Sequence, residues 1–247
     1  MNDLDPSSQL IILARCADSR RQNERLRSLL PAITSATLRV EFARCAIDLA
    51  MEHHSALIRV VEAGEYGAAA ALLRPTLEAA TIGFWFAYVA SWEEIDRLQA
   101  DRGDNPVDDV PMLRDMAVQL IPTFPAIQAI VDGFKTGGAA KWLHKYAHGG
   151  TPQLNRRTDS GWAEKEVMLM LVRADLFSVL AGCLETVLSP NASLSSYGFA
   201  RRDALGEEAH QRFGVARVSP QPHALPPAPL LFSDSPKASN GELSSQT

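Results

Sequence analysis

The chain has only three cysteines, Cys16, Cys45 and Cys183, widely spaced and odd in number. No Cys-x-x-Cys pair occurs, which excludes a zinc ribbon and a disulfide framework. A reducing compartment, the cytoplasm, is the expected location. The first residues, MNDLDPSS, are polar and acidic, unlike a secretory signal. Catalytic signatures are missing too. There is no phosphate-binding P-loop, no GxGxxG after a strand, no HExxH and no GxSxG. Glu52-His53-His54 has metal-binding residue types, but adjacent histidines point about 100° apart on a helix. The Glu-x-x-His pattern of di-iron bundles is not repeated either. No metal and no cofactor are expected. The net charge of −5 excludes a globally basic nucleic-acid binder and leaves only a local patch.

What remains is 46% hydrophobic and 21% charged, ordinary for a globular domain. The longest apolar stretch, 67–91, is long enough to span a bilayer. Arg74, Pro75 and Glu78 at its middle argue instead for the central helix of a soluble bundle, with no membrane involved. Before it, apolar residues at helical spacing predict helices over 8–30 and 35–63. On the second, Ile47, Ala50, His54, Leu57 and Val61 recur every three or four residues, which places His54 on the buried face. The arginines of the first helix, Arg15 among them, read as a solvated face. Gly64 to Gly67 supplies a tight link, so the second and third helices should form an antiparallel hairpin. Pro75 should kink or break the third helix.

Further helices are expected over 92–103, 111–120, 126–134, 139–148 and 161–188, the last capped by Ser160, with a short one over 201–213. Residues 219–247 hold six of the fifteen prolines and little apolar periodicity, so a disordered tail is expected after a 1–218 domain. The fold class is therefore all-α, a bundle of four to five long helices with short accessory ones.

Two polar features stand out. Arg74 and Glu78, four residues apart, share a face of a greasy helix and need partners. Either they are a buried pair that fixes helix register, or Arg74 joins His54 and His148 around an anion, with histidine moving protons. Counted from the turn, His54 and Arg74 lie at similar depths. The second feature is 135–157, which holds Lys135, Lys141, Lys145, Arg156 and Arg157 and no acid. On its helix Lys141, His144, Lys145 and His148 share one face, and its Gly-Gly pairs let backbone approach an anion. The region 93–115 is its acidic counterpart, with eight acids against three bases.

Leu73-Arg74-Pro75-Thr76-Leu77-Glu78, followed some seventy residues later by His148-Gly149-Gly150, resembles a bacterial family of unknown function. That family is similar to the HEPN-like helical bundles, which include abortive-infection proteins. The resemblance covers about 36–190. It implies a four- or five-helix bundle, a homodimer, RNA or nucleotide binding in a defence setting, and metal-independent RNA cleavage by an Arg followed after four to six residues by His. No Arg stands at that spacing before His54, His144 or His148, and the nearest analogue is Lys141 before His148. The expectation is accordingly a binding or regulatory module. A ribonuclease using Arg74, Glu78, His148 and His54, and a purely structural partner of a protein encoded nearby, are the alternatives. Lys141, His144, Lys145, Arg156 and Arg157 would form the anion-binding surface.

Overall fold

A computed structural model describes residues 4–32, 37–100, 110–136, 139–156, 161–216 and 223–231. The described residues are all-α and contain no strand. Five helices exceed twenty residues: α1 (Pro6–Leu29), α2 (Leu38–Glu62), α3 (Tyr66–Tyr88), α9 (Glu164–Leu188) and α10 (Ala192–Phe213). Between them lie α4 (Trp92–Ala100), α5 (Leu113–Leu120), α6 (Gln128–Thr136), α7 (Ala139–Ala147) and α8 (Thr151–Asn155).

Local chemistry sets the boundaries. Asp5 accepts from the Ser7 and Ser8 amides and Pro6 opens α1. Helix α2 ends at Gly64, whose φ of 77° is left-handed. The Glu65 and Gly64 amides close on the Val60 and Val61 carbonyls, satisfying the last turn. Helix α3 begins at once and packs closely on α2, forming the predicted hairpin. It runs through Pro75 without a break, the expectation there having been a kink or a break. At its far end the buried Arg39 donates to the Phe86 and Ala90 carbonyls, a cation placed at a helix C-terminus.

Helix α9 is the axis. Ser8 meets Glu164 and Ser19 meets Asp175, so α1 runs parallel to it. Arg44 pairs with Glu185 and His54 with Asp175, so α2 runs antiparallel. Helix α3 lies along it through an alanine layer of Ala50, Ala79, Ala80 and Ala181. Helix α10 returns antiparallel at close range. A Cβ on Gly198 would stand 2.8 Å from the Cys183 sulfur, so glycine is required there. By length and composition α9 is the one described helix able to cross a membrane. Of its most apolar window 72% is buried inside the fold, and it carries the buried Asp175, as suits a core helix. Helices α5 and α7 pack on the outer side of α3, which places α7 and α8 beside its first half.

Three expectations change. Helix α10 spans twenty-two residues rather than 201–213. Its buried apolar residues, Leu194, Phe199, Leu205 and Ala209, are too sparse to show a stripe, and the close approach at Gly198 and the Arg201–Asp175 ion pair add to their hold on α9. Helix α9 starts at Glu164, and Ser160 lies outside the described residues. The third change concerns the tail. Residues 223–231, expected to be disordered, lie against α3. Ala228 and Leu231 are buried with Leu120, Tyr88 and Leu194, and the Tyr88 hydroxyl donates to the Pro226 carbonyl at 2.7 Å. Prolines suit this segment because it has few backbone donors to satisfy. The rest of 219–247 is outside the described residues.

Burying one leucine and its neighbours stabilises by about 2 kcal/mol. Truncation after Ser219 should therefore lower Tm by about 4–8 °C. An unchanged melting curve would show that residues 223–231 contribute nothing to the fold.

Candidate functional site

The polar residues form two separate groups. The first is wholly internal. Asp175, on the apolar helix α9, and His54, on α2, are both fully buried, with His54 Nε2 2.7 Å from Asp175 Oδ1. Asn23 Nδ2 lies 2.8 Å from His54 Nδ1 and donates to the Met51 carbonyl, while Asn23 Oδ1 accepts from Arg27 Nε. An amide that accepts through oxygen presents its nitrogen to the ring. The amide orientation therefore assigns Nδ1 as acceptor and Nε2 as the donor to Asp175. Both ring nitrogens are used.

The other oxygen, Asp175 Oδ2, is 2.6 Å from Arg15 Nη2, accepts from Ser19 at 3.1 Å, and has Arg201 Nη2 at 3.7 Å. Gln22 donates to the Asp175 carbonyl and the Ser178 hydroxyl, and accepts from Arg201. Burial raises the Asp175 carboxyl, but hydrogen bonding to His54 and the charge of Arg15 outweigh it and hold the group below the usual carboxylate range.

This network corrects two expectations. His54 does not approach Arg74; it locks α2 to α9. Arg15, read as part of a solvated face, is 6% exposed and supplies the counter-charge. Asp175 escaped notice, although it is the one acid in the apolar run from Val167 to Leu184. A lone carboxylate there needs partners inside the fold.

The second group lies at the corner of α3, α7 and α8. Arg74 donates through Nη1 to His144 Nδ1, and its Nε is 3.7 Å from Glu78 Oε2. The His144 and His148 rings lie 4.5 Å apart, centre to centre. Helix α7 ends in a left-handed Gly149, and the Gly150 amide returns to the Lys145 carbonyl at 2.7 Å. This closed turn carries His148 back beside His144. Partial desolvation, then the charges of Arg74 and His148, hold the His144 imidazole below its ordinary value.

On the neighbouring face of α7, Trp142, Lys145 and Tyr146 line an open cleft of ≈ 380 Å³ with Thr151, Pro152, Asn155 and Arg156 of α8 and its end. Arg156 also pairs with Glu166 and lies over the Trp162 ring. Gln153 ties the cleft down, donating to the Gly67 and Tyr146 carbonyls. Pro152 opens the short helix α8.

The structure thus brings Arg74, Glu78, His144 and His148 together and sets Lys145 and Arg156 next to them. His54 is elsewhere. The Lys141 side chain and Arg157 lie outside the described residues. The buried-pair reading of Arg74 and Glu78 is also corrected. Glu78 is 34% exposed, so the pair is a surface contact.

The chain belongs to a family of unknown function (DUF6988), whose profile matches residues 47–201. That span contains every residue of the α3–α7–α8 corner. It omits α1, the source of Arg15, Ser19, Gln22 and Asn23. Nothing in the match ties the chain to HEPN-like or abortive-infection proteins. No curated protein and no solved structure matches it.

Two consequences are measurable. Asp175→Asn strands Arg15 and should cost about 3–5 kcal/mol. Because the folded carboxyl titrates below the unfolded one, its contribution is present above about pH 4 and is lost as pH falls further. The wild-type protein should therefore lose stability in acid more steeply than the variant. Parallel curves would mean that the carboxylate is not charged in the fold. Glu78→Gln, by contrast, should change stability by no more than about 0.5 kcal/mol.

Proposed function

We propose that this member of the family is a binding module for a phosphate-bearing ligand, a nucleotide or a single-stranded nucleic acid, at the α3–α7–α8 corner. The observation that carries this is the state of Arg74. It is 12% exposed, its closest acceptor is a histidine ring, and its carboxylate neighbour is 3.7 Å away and turned partly to solvent. A guanidinium held this way keeps its planar fork for a stronger acceptor such as phosphate. The adjoining cleft offers Lys145 and Arg156, a tryptophan and a tyrosine, and no carboxylate among its lining residues. Lys145 is exposed and makes no ion pair among the described residues.

A role in binding is better supported than catalysis. Proton transfer needs a histidine with one ring nitrogen open to the substrate, and both nitrogens of the buried His54 are engaged inside the fold. His144 and His148 are adjacent to the anion position, where they add charge when protonated.

Anion binding should raise His144 toward its ordinary value, so a proton is taken up on binding. Affinity should then increase as pH falls from 8 to 6. A labelled single-stranded RNA titrated at several salt concentrations reads the phosphate contacts, and a mononucleotide serves as the small-ligand arm. Each lost contact reduces the slope of log affinity against log salt by about 0.7. Arg74→Gln with Lys145→Gln should flatten it by about 1.4. No binding of either probe at low salt, by a protein that melts normally, would overturn the reading.

A further inference from the structure

The cleft between α7 and α8 has a lining that an anion site alone does not require. Trp142 is half-buried and forms part of its α7 wall. The Trp142 ring rests on Tyr146, 3.9 Å centre to centre, and Tyr146 lies 5.6 Å from Trp162. The Arg156 guanidinium covers that second tryptophan at 5.1 Å. The α7 wall is thus backed by a fixed aromatic stack, and Pro152 and Arg156 face it from the α8 side. Gln153 holds α8 to the Tyr146 and Gly67 carbonyls, so the gap between the two helices is set before any ligand arrives.

Size and chemistry limit the occupant. A volume of ≈ 380 Å³ is at the small end of ligand sites and takes one flat ring system. Aromatic and planar cationic side chains, with no carboxylate among them, suit a nucleobase, which stacks on both.

Position decides what that base is attached to. His144, Lys145 and Trp142 follow one another around α7 in steps of about 100° and 60°, from the helical repeat. Over a helix about 10–12 Å across, the path from the Arg74–His144 contact to Trp142 is about 15 Å. That is longer than the reach from a nucleotide's base to its own phosphate. A ligand that uses both places therefore carries a phosphate beyond the one next to the stacked base. Lys145 is exposed on this path, where the linkage crosses α7.

We propose that the cleft is a nucleobase subsite, and that the ligand is a single strand of two or more nucleotides, not a free mononucleotide. The proposal rests on the reading of the Arg74 corner as a phosphate site. One base enters between Trp142 and Arg156, and the strand passes Lys145 to place a neighbouring phosphate on Arg74. A base held in a duplex is paired and stacked and does not enter, so the site selects single strands.

The test uses the full chain and adenylate strands of one, two and four nucleotides, titrated at one ionic strength. The tetranucleotide should bind at least about tenfold more tightly than the mononucleotide, the gain expected of one stacked base. Trp142→Leu should remove that gain. Inorganic phosphate should still shift the His144 and His148 imidazole signals of the variant. A duplex should bind at least about tenfold more weakly than either of its separated strands. If Trp142→Leu does not fold, the length series and the duplex comparison on the wild-type protein decide. Equal affinity for one and four nucleotides overturns the proposal, as does a folded Trp142→Leu that keeps the gain or a duplex that binds as tightly as its strands. In each of these cases, phosphate shifts at His144 and His148 leave the phosphate corner standing. Loss of those shifts together with tetranucleotide binding overturns both readings.

Discussion

A charge without water must be answered from within, and Asp175 imposes that condition on the whole fold. It sits on the central helix α9, and its two oxygens face α2 on one side and α1 with α10 on the other. Hydrophobic burial gathers these helices around α9 but is tolerant of sliding. The carboxylate is not, since each partner reaches it from one position on its helix. His54, Arg15, Ser19 and Arg201 thus set the depth of α2, α1 and α10 against the axis. Replacing such a network with apolar residues often leaves stability unharmed. Its role here is register, because four helices meet one side chain.

With the internal residues so engaged, the polar groups at α3, α7 and α8 are of a different kind. Nothing in the packing requires Arg74 to be where it is. Its helix is anchored by Leu73 and Leu77, which are buried on either side of it. The corner is shaped by backbone instead, through the Gly149 turn and the Gln153 tether. Arg74, with its carboxylate neighbour 3.7 Å away, sits on a firmly held frame, which suits a binding site because the ligand then meets groups already in place.

Much of the fold was legible in the sequence. Helical periodicity marked α1, α2, α3 and α9, and Gly64 marked the hairpin. The burial of His54 followed from its place among Ile47, Ala50, Leu57 and Val61. Its partner did not. Asp175 is 121 residues away, and depth along a hairpin cannot tell which helix faces a side chain. Helix α10 was hidden because ion pairs and a glycine contact replace an apolar stripe. The packing of residues 223–231 was hidden because proline-rich composition is shared by disordered tails and by segments that pack on a fold's aromatic side chains. The lone acid within Val167–Leu184 was visible and would have pointed to the network.

The central claim is this division between a histidine that locks the fold, His54, and two at the open corner, His144 and His148, where we propose that an anion binds. Imidazole nitrogen NMR on the full chain, with inorganic phosphate added stepwise, tests it directly. The account predicts that His144 and His148 shift with phosphate, while His54 keeps a protonated Nε2 and does not move. A phosphate-dependent shift at His54, with His144 and His148 unchanged, would contradict it.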